Sequence, residues 1–248
     1  MTDVVALSSF SGMSGFYGRW AIAGLFTAAF TVLARLMRGV TNSGAIAGAV
    51  VCFVLYLGGG SGAFAALITV FALAWITTRL GYQRKQGLGT AERREGRKAS
   101  QVLANLAVAA ACAAMSVLSH NRAVFLLAIA AALSEAAADT VSSELGQAFG
   151  EQARLITTGR PVPPGTDGAV SLIGTLAGIV AAGIVSCVCV LWGLLPPRWL
   201  ATSAGAAVLG MIADSFLGAW LERRSLVNND SVNFLGTLTA ALAALCLA

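Results

Sequence analysis

The sequence predicts an all-α, polytopic helical bundle embedded in a bilayer. Three observations carry that expectation. The 248 residues are 57% hydrophobic and only 11% charged, where a soluble domain is about one quarter charged. The mean hydropathy is +0.80. Residues 39–78, 99–121, 168–197 and 231–248 contain no Asp, Glu, Lys or Arg, and ~20 apolar residues suffice to span a bilayer as a helix.

Eight transmembrane helices follow, near 18–35, 43–59, 62–79, 100–118, 123–142, 169–194, 199–219 and 231–248. The long stretch 39–78 is divided only by Leu57-Gly-Gly-Gly-Ser-Gly62, a flexible turn. The last span is short and is expected to tilt little or end at the interface. No internal repeat is visible, so 1–248 reads as a single membrane domain. Met1-Thr-Asp3 lacks a basic n-region, and Arg19 comes too late to supply one, so a cleaved leader is not expected. Cys52, Cys112, Cys187, Cys189 and Cys246 all fall in spans and read as small apolar core residues. The single histidine, His120, sits in a four-residue loop, which argues against histidine-based catalysis.

Eight spans alternate the loops between two sides. One side receives thirteen of the 16 basic residues, from Arg35 and Arg38 to Arg223 and Arg224. The other receives Arg19, Arg122 and Arg198. The positive-inside rule makes the first side cytoplasmic and puts both termini outside. The chain is then a multi-pass integral membrane protein, of the plasma or inner membrane in a bacterium. Its polar variety crowds into cytoplasmic loops 80–98, 146–168 and 221–230. A transport pathway would often leave polar residues on both sides; crowding on one favours an enzyme that meets a water-soluble reactant at the cytoplasmic face. The bilayer is the evident partner and no nucleic acid is implied; a homodimer is left open.

Five constellations within 80–248 reach that face. Residues 79–98 hold seven basic side chains, Lys85, Arg97 and Lys98 among them. They read either as a topology signal that attracts anionic headgroups or as a phosphate-binding surface. Gln101 and Asn105 follow, four apart on one helix face. Next come Asp139, Ser143 and Glu144, with Glu135 four before Asp139 on the same stripe. A carboxylate at membrane depth costs a few kcal/mol and usually marks a functional site. Hard oxygen ligands without His or Cys suit Mg²⁺; a buried ion pair with the basic loop is the structural alternative. The third is the Pro/Gly-rich loop Thr158–Ser171, with Arg160, Thr166 and Asp167, where Thr166 or Asp167 is the expected N-cap of the next helix and its backbone N–H groups are suited to an anion. Asp214, flanked by Gly210, Ala213 and Gly218, is the fourth. The fifth is Asn228–Asn233, where Asp230 or Ser231 is expected to cap the last helix. Carboxylates, amides, hydroxyls and basic groups at one level describe a metal–phosphate site beside an apolar bundle able to hold a lipid tail. The chemistry is phosphoryl or nucleotidyl transfer to a lipid.

These motifs resemble a known family. Gly96-Arg97-Lys98…Gln101…Asn105, Asp139-Thr…Ser143-Glu144-Leu-Gly146, Pro163-Pro-Gly-Thr166-Asp167-Gly168…Ser171, Asp214-Ser215-Phe and Asp230-Ser-Val-Asn233-Phe occur in the order seen in the membrane family called domain of unknown function 92. That family includes the phytyl-phosphate kinases of tocopherol synthesis and animal transmembrane protein 19. The resemblance covers roughly residues 40–248. It implies a prenyl-phosphate kinase that converts an isoprenoid monophosphate, such as phytyl or geranylgeranyl phosphate, to the diphosphate. A nucleoside triphosphate, CTP or ATP with CTP favoured, would be the donor and Mg²⁺ the cofactor. Asp139, Glu144, Asp214 and Asp230 are the implied metal ligands. Asp139, Arg97 and Lys98 would be catalytic. Nucleotide and phosphate would be held by Lys85, Arg97, Lys98, Gln101, Asn105, Thr158, Arg160, Thr166, Asp167, Ser171 and Asn233. Leu106 and the pair Trp220-Leu221 depart from the family pattern, which bears on lipid specificity. The alternatives are a CTP-dependent cytidylyltransferase, a lipid alcohol kinase and, from another class, a cation-coupled transporter or lipid flippase.

Overall fold

In a computed structural model, the backbone is described for residues 3–248 and the side chains for 17–248. Met1 and Thr2, and with them the leader expectation, lie outside the described residues. The chain forms α1 (Asp3–Leu36), α2 (Asn42–Arg79), α3 (Tyr82–Leu88), α4 (Ala99–Leu118), α5 (Arg122–Phe149), β1 (Arg154–Leu155), β2 (Ala169–Val170), α6 (Leu172–Leu191), α7 (Leu200–Trp220) and α8 (Asn229–Cys246). The polytopic helical architecture is as expected. The bundle carries a small addition to the all-α expectation, the pairing of β1 with β2, antiparallel and two residues each.

Among the described residues, six helices are long and apolar enough to cross a membrane, not eight. The difference has two causes. The expected spans 43–59 and 62–79 lie within α2, which is broken at Gly60 (φ 65°, ψ −154°). The last expected span, 231–248, corresponds to α8, whose first turns carry Asn229, Asp230 and Asn233 and fall below that apolarity.

Ring contacts show what the Gly60 break does. Going down α2 from its break, Leu57, Phe53, Cys52 and Asn42 meet Arg19, Trp20, Thr27 and Arg35 of α1 in turn. That order is antiparallel. Beyond the break, Phe64, Phe71 and Trp75 meet Phe26, Phe30 and Met37 in rising order, which is parallel. The two halves of α2 are therefore a hairpin. Its turn lies where the glycine run placed it, and only glycine adopts the Gly60 backbone at low cost.

α5 is the central helix. Every residue from Leu127 to Ala138 is buried, against α2, α4, α6, α7 and α8. Seven of those twelve are alanine, so neighbouring backbones approach closely, as interfaces in membranes require. Across the bundle, Ser134, Ser186 and Ser203 form a buried hydroxyl chain, 3.0 Å at each step, tying α5 to α6 and α7. Cys52, Cys112 and Cys189 are buried as expected, but Cys187 and Cys246 are exposed on the bundle surface.

The polar loops gather at one end. Arg97 pairs with Val40, Arg84 with the carbonyls of Ala148 and Gly150, and Gly168 packs on Ala219. The short loops meet at the other, where Arg122 donates to Gly58 O and Gly62 abuts Leu194. Much of the basic loop caps helix ends here. Lys85 is fully buried. Its ammonium donates to Thr77 O, Thr78 O and Glu144 Oε2, and Thr78 Oγ donates to Glu144 Oε1. All three of its protons are thereby used on the C-terminus of α2 and one carboxylate. This corrects two expectations: Lys85 does not face a phosphate, and Glu144 is its ion-pair partner rather than a metal ligand.

Two stability changes follow. A Gly60→Ala side chain meets no atom within 4 Å, so its whole cost is backbone strain, about 1–3 kcal/mol, read as a lower thermal unfolding midpoint in detergent. Lys85→Met strands a half-buried Glu144 and is expected to cost ~3–5 kcal/mol; the double variant Lys85→Met/Glu144→Leu recovers a large part of that loss in the same melt.

Candidate functional site

Two cavities adjoin at the polar end. The larger, about 370 Å³, lies among α1, α2 and α4. Its walls are apolar (Phe30, Leu67, Val70, Phe71, Val102 and Leu106) and its rim carries Arg38, Arg79, Arg93, Arg94 and Arg97. The smaller, about 140 Å³, is polar and is formed by α5, the loop before α6, α7 and the turn before α8. Asp139, Asp167, Asp214 and Glu222 line it, with Ser142, Ser143, Thr166, Ser171 and Ser215.

Backbone pairing positions the residue between them. Gly96 takes φ +92° and sits against the backbone of Gly39 and Val40, where any side chain would collide. Arg97 N then donates to Gly39 O, and Thr41 N to Arg97 O, each at 3.0 Å. This short ladder fixes Arg97 at the rim of the apolar cavity, and its charge acts on Asp139 of the polar one.

α5 brings Asp139 to the polar cavity and α7 brings Asp214 against it. Glu135 lies one turn deeper on α5, 1% exposed. Among the described residues, Glu135 Oε1 and Asp214 Oδ2 are the buried side-chain oxygens without a hydrogen-bond partner. Opposite them α6 starts. Its N-cap is Ser171, whose Oγ accepts from Gly174 N at 3.1 Å, rather than Thr166 or Asp167. Residues 169 and 170 are held in β2 and cannot begin the helix. The positive end of α6 thus points into an otherwise acidic cavity.

The candidate residues divide accordingly. Asp139, Thr166, Asp167, Ser171 and Asp214 come together around the polar cavity. Arg97, Gln101 and Asn105 line the apolar one. Gln101 is engaged within the protein: it donates to Glu92 Oε2 and accepts from Lys98 N, each at 2.9 Å. Asn105 donates to Gln101 O. Lys98, Thr158 and Arg160 are exposed and line neither cavity, and neither do Asp230 and Asn233. The last helix is capped by Asn228, which accepts from Ser231 N, so neither Asp230 nor Ser231 is the cap. Sequence reasoning left out Glu222, quoted Ser215 and Asn229 within motifs without giving them a role, and placed Glu135 on the right stripe without assigning it to the site. The i, i+4 spacing to Asp139 was the available signal for Glu135. Glu222 sits in an ordinary charged turn and gave none.

Among the described residues, no group of three or more His, Cys, Asp or Glu side chains forms a ready metal cage. Asp139 and Asp214 nevertheless fit a hard divalent cation. They offer carboxylate oxygens facing each other, one of them orphaned, and Mg²⁺ takes one or two carboxylates together with substrate phosphates.

Residues 25–241 match the family described as integral membrane protein DUF92. The membrane protein MJ0933 of Methanocaldococcus jannaschii is 31% identical over 219 residues, 88% of this chain and 90% of that protein. Protein VTE6, chloroplastic, of Arabidopsis thaliana is 31% identical over 219 residues, 84% of this chain and 66% of that one. The membrane protein sll0875 of Synechocystis sp. is 32% identical over 186 residues, 73% and 72% of the two chains. No solved structure matches. A multi-pass helical membrane protein matched over most of its length in this way belongs to the DUF92 family of integral membrane proteins.

Proposed function

We propose that the chain is a prenyl-phosphate kinase. It transfers the terminal phosphoryl group of a nucleoside triphosphate, CTP favoured, to an isoprenoid monophosphate. One observation carries the reading: an apolar cavity of lipid-tail character ends at Arg97, which acts on Asp139 in an acidic, hydroxyl-lined cavity next door. The family resemblance stated from the sequence motifs points the same way.

The isoprenoid tail lies along Phe30, Phe71 and Val102, and its phosphate rests at Arg97. The triphosphate enters the polar cavity beside the start of α6. Four carboxylates line that cavity, so a polyanion enters only with its charge neutralised. Mg²⁺ held by Asp139 and Asp214 would supply that neutralisation and polarise the transferred phosphoryl group. An oxygen of the lipid phosphate forms the new bond to the γ-phosphorus, and the bond from that phosphorus to the nucleoside diphosphate breaks. The attacking oxygen is already ionised, so no strong general base is required. Arg97 aligns the acceptor and offsets charge during transfer. By the positive-inside rule this end of the bundle faces the cytoplasm, where the nucleotide is.

The test is an endpoint assay in detergent with phytyl or geranylgeranyl monophosphate, Mg²⁺ and each of the four nucleoside triphosphates, products read by mass spectrometry. A lipid diphosphate with released nucleoside diphosphate is expected. A nucleotidyl lipid with pyrophosphate would make it a cytidylyltransferase, and no product from folded protein would turn the reading towards transport. Asp139→Asn and Asp214→Asn are each expected to lower kcat by at least about 100-fold without unfolding the bundle. Gly48 lines the apolar cavity and has open space where a side chain would go. Gly48→Leu is therefore expected to raise KM for a twenty-carbon isoprenoid phosphate roughly tenfold, since ~1.4 kcal/mol of tail contact is a factor of ten, while a five-carbon acceptor is little affected. Equal effects on both acceptors would place the tail elsewhere.

A further inference from the structure

Glu135 is the most deeply buried acid in the described chain, and nothing in the proposed reaction uses it. It lies at 1% exposure, on the stretch of α5 that is buried on all sides. Its Oε1 has no hydrogen-bond partner, and neither does Asp214 Oδ2. The two oxygens converge. A side-chain carbon built on Gly236 would lie 2.6 Å from Glu135 Oε1 and 3.3 Å from Asp214 Oδ2. One point in the fold thus borders both orphaned oxygens, and the residue there has no side chain. Gly210 on α7 makes room on the other flank, where an added carbon would lie 2.7 Å from Glu135 Cγ. Two helices give up side chains around one carboxylate.

Glu135, Asp139 and Asp214 sit close enough to act on one another, and the basic group acting on the cluster is Arg97, on Asp139. An unpaired carboxylate at this depth is costly, and alanine or leucine would pack the same position without that cost.

We propose that Glu135 and Asp214 hold a second divalent cation, one helical turn deeper than the ion at Asp139 and Asp214, with Asp214 shared between the two. This rests on the metal–phosphate reading of the polar cavity and deepens it to a two-cation site. Paired metals of this kind clamp both the entering and the leaving oxygen in phosphoryl transfer. Glu135 contributes by fixing the inner ion and, through it, the position of Asp214.

The test is a Mn²⁺ titration of purified, nucleotide-free protein in detergent, free Mn²⁺ being read from its six-line paramagnetic resonance signal. Two Mn²⁺ per chain are expected in the wild type, one in Glu135→Gln and one in Asp139→Asn, with mutual broadening of the bound signal in the wild type alone. Gly236→Ala, which places a methyl in the gap between the two oxygens, is expected to lose the same ion as Glu135→Gln and serves if that variant fails to fold. One Mn²⁺ in the wild type, or an unchanged count in both Glu135→Gln and Gly236→Ala, overturns the proposal. One ion with lipid diphosphate still formed would leave the kinase reading standing without the inner cation. No bound ion and no turnover from folded protein would remove both.

Discussion

Carboxylates at membrane depth need shielding from lipid and a counter-charge, and the bundle is arranged around that need. The acids sit on α5, the helix with the most neighbours, and on the face of α7 turned towards it. Alanine fills most of α5 between Leu127 and Ala138, and Gly210 and Gly236 let α7 and α8 close over Glu135. Small residues serve two ends here. They give the close backbone contact on which helices in a membrane depend, and they leave room around the acids in the interior.

The opposite charge is distributed with equal economy. Three of the cations at the polar end are occupied with helix termini. Lys85 closes α2, Arg84 closes α5, and Arg79 donates to Trp75 O and Met37 O. Each meets the negative end of a helix or its unsatisfied carbonyls. Seven basic residues in one loop therefore do not amount to seven phosphate contacts. Arg97 differs because its backbone, not its side chain, is spent on the turn at residues 39–41. Its side chain is left to line the apolar cavity.

This distinction explains what the sequence disclosed and what it withheld. The hairpin in α2 was legible because a glycine run interrupts forty uncharged residues, and φ +65° at Gly60 is the physical content of that run. The gathering of polar loops at one end was legible because charge alternates loop by loop. Asp139 and Asp214 were legible because acids stand out against apolar surroundings. Lys85 and Glu144 were equally conspicuous, yet they are 59 residues apart and pair with each other; composition marks a charge as special without saying what it meets. Gln101 likewise found its partner in Glu92. The caps at Ser171 and Asn228 were displaced by a few residues because β2 and the turn before α8 hold backbone that local propensity alone would have given to a helix.

The division of the polar end into two cavities is itself a constraint on chemistry. An apolar tail and a polyphosphate cannot share one lining, since the first needs dry walls and the second needs donors and cations. Here α1, α2 and α4 form the dry side, while α5, α7 and the loops around α6 and α8 form the wet side. α4 begins directly after Arg97, so the residue on the boundary is set by the junction between a paired loop and a helix start. Gly96 cannot carry a side chain without displacing the Gly39–Val40 backbone, and Thr41 both accepts the first turn of α2 and grips Arg97 O. Movement of that loop would carry Arg97 away from Asp139 and separate the two halves of the site. The backbone contacts around Arg97, rather than any ion pair it makes, are what keep the apolar cavity and the polar cavity in register.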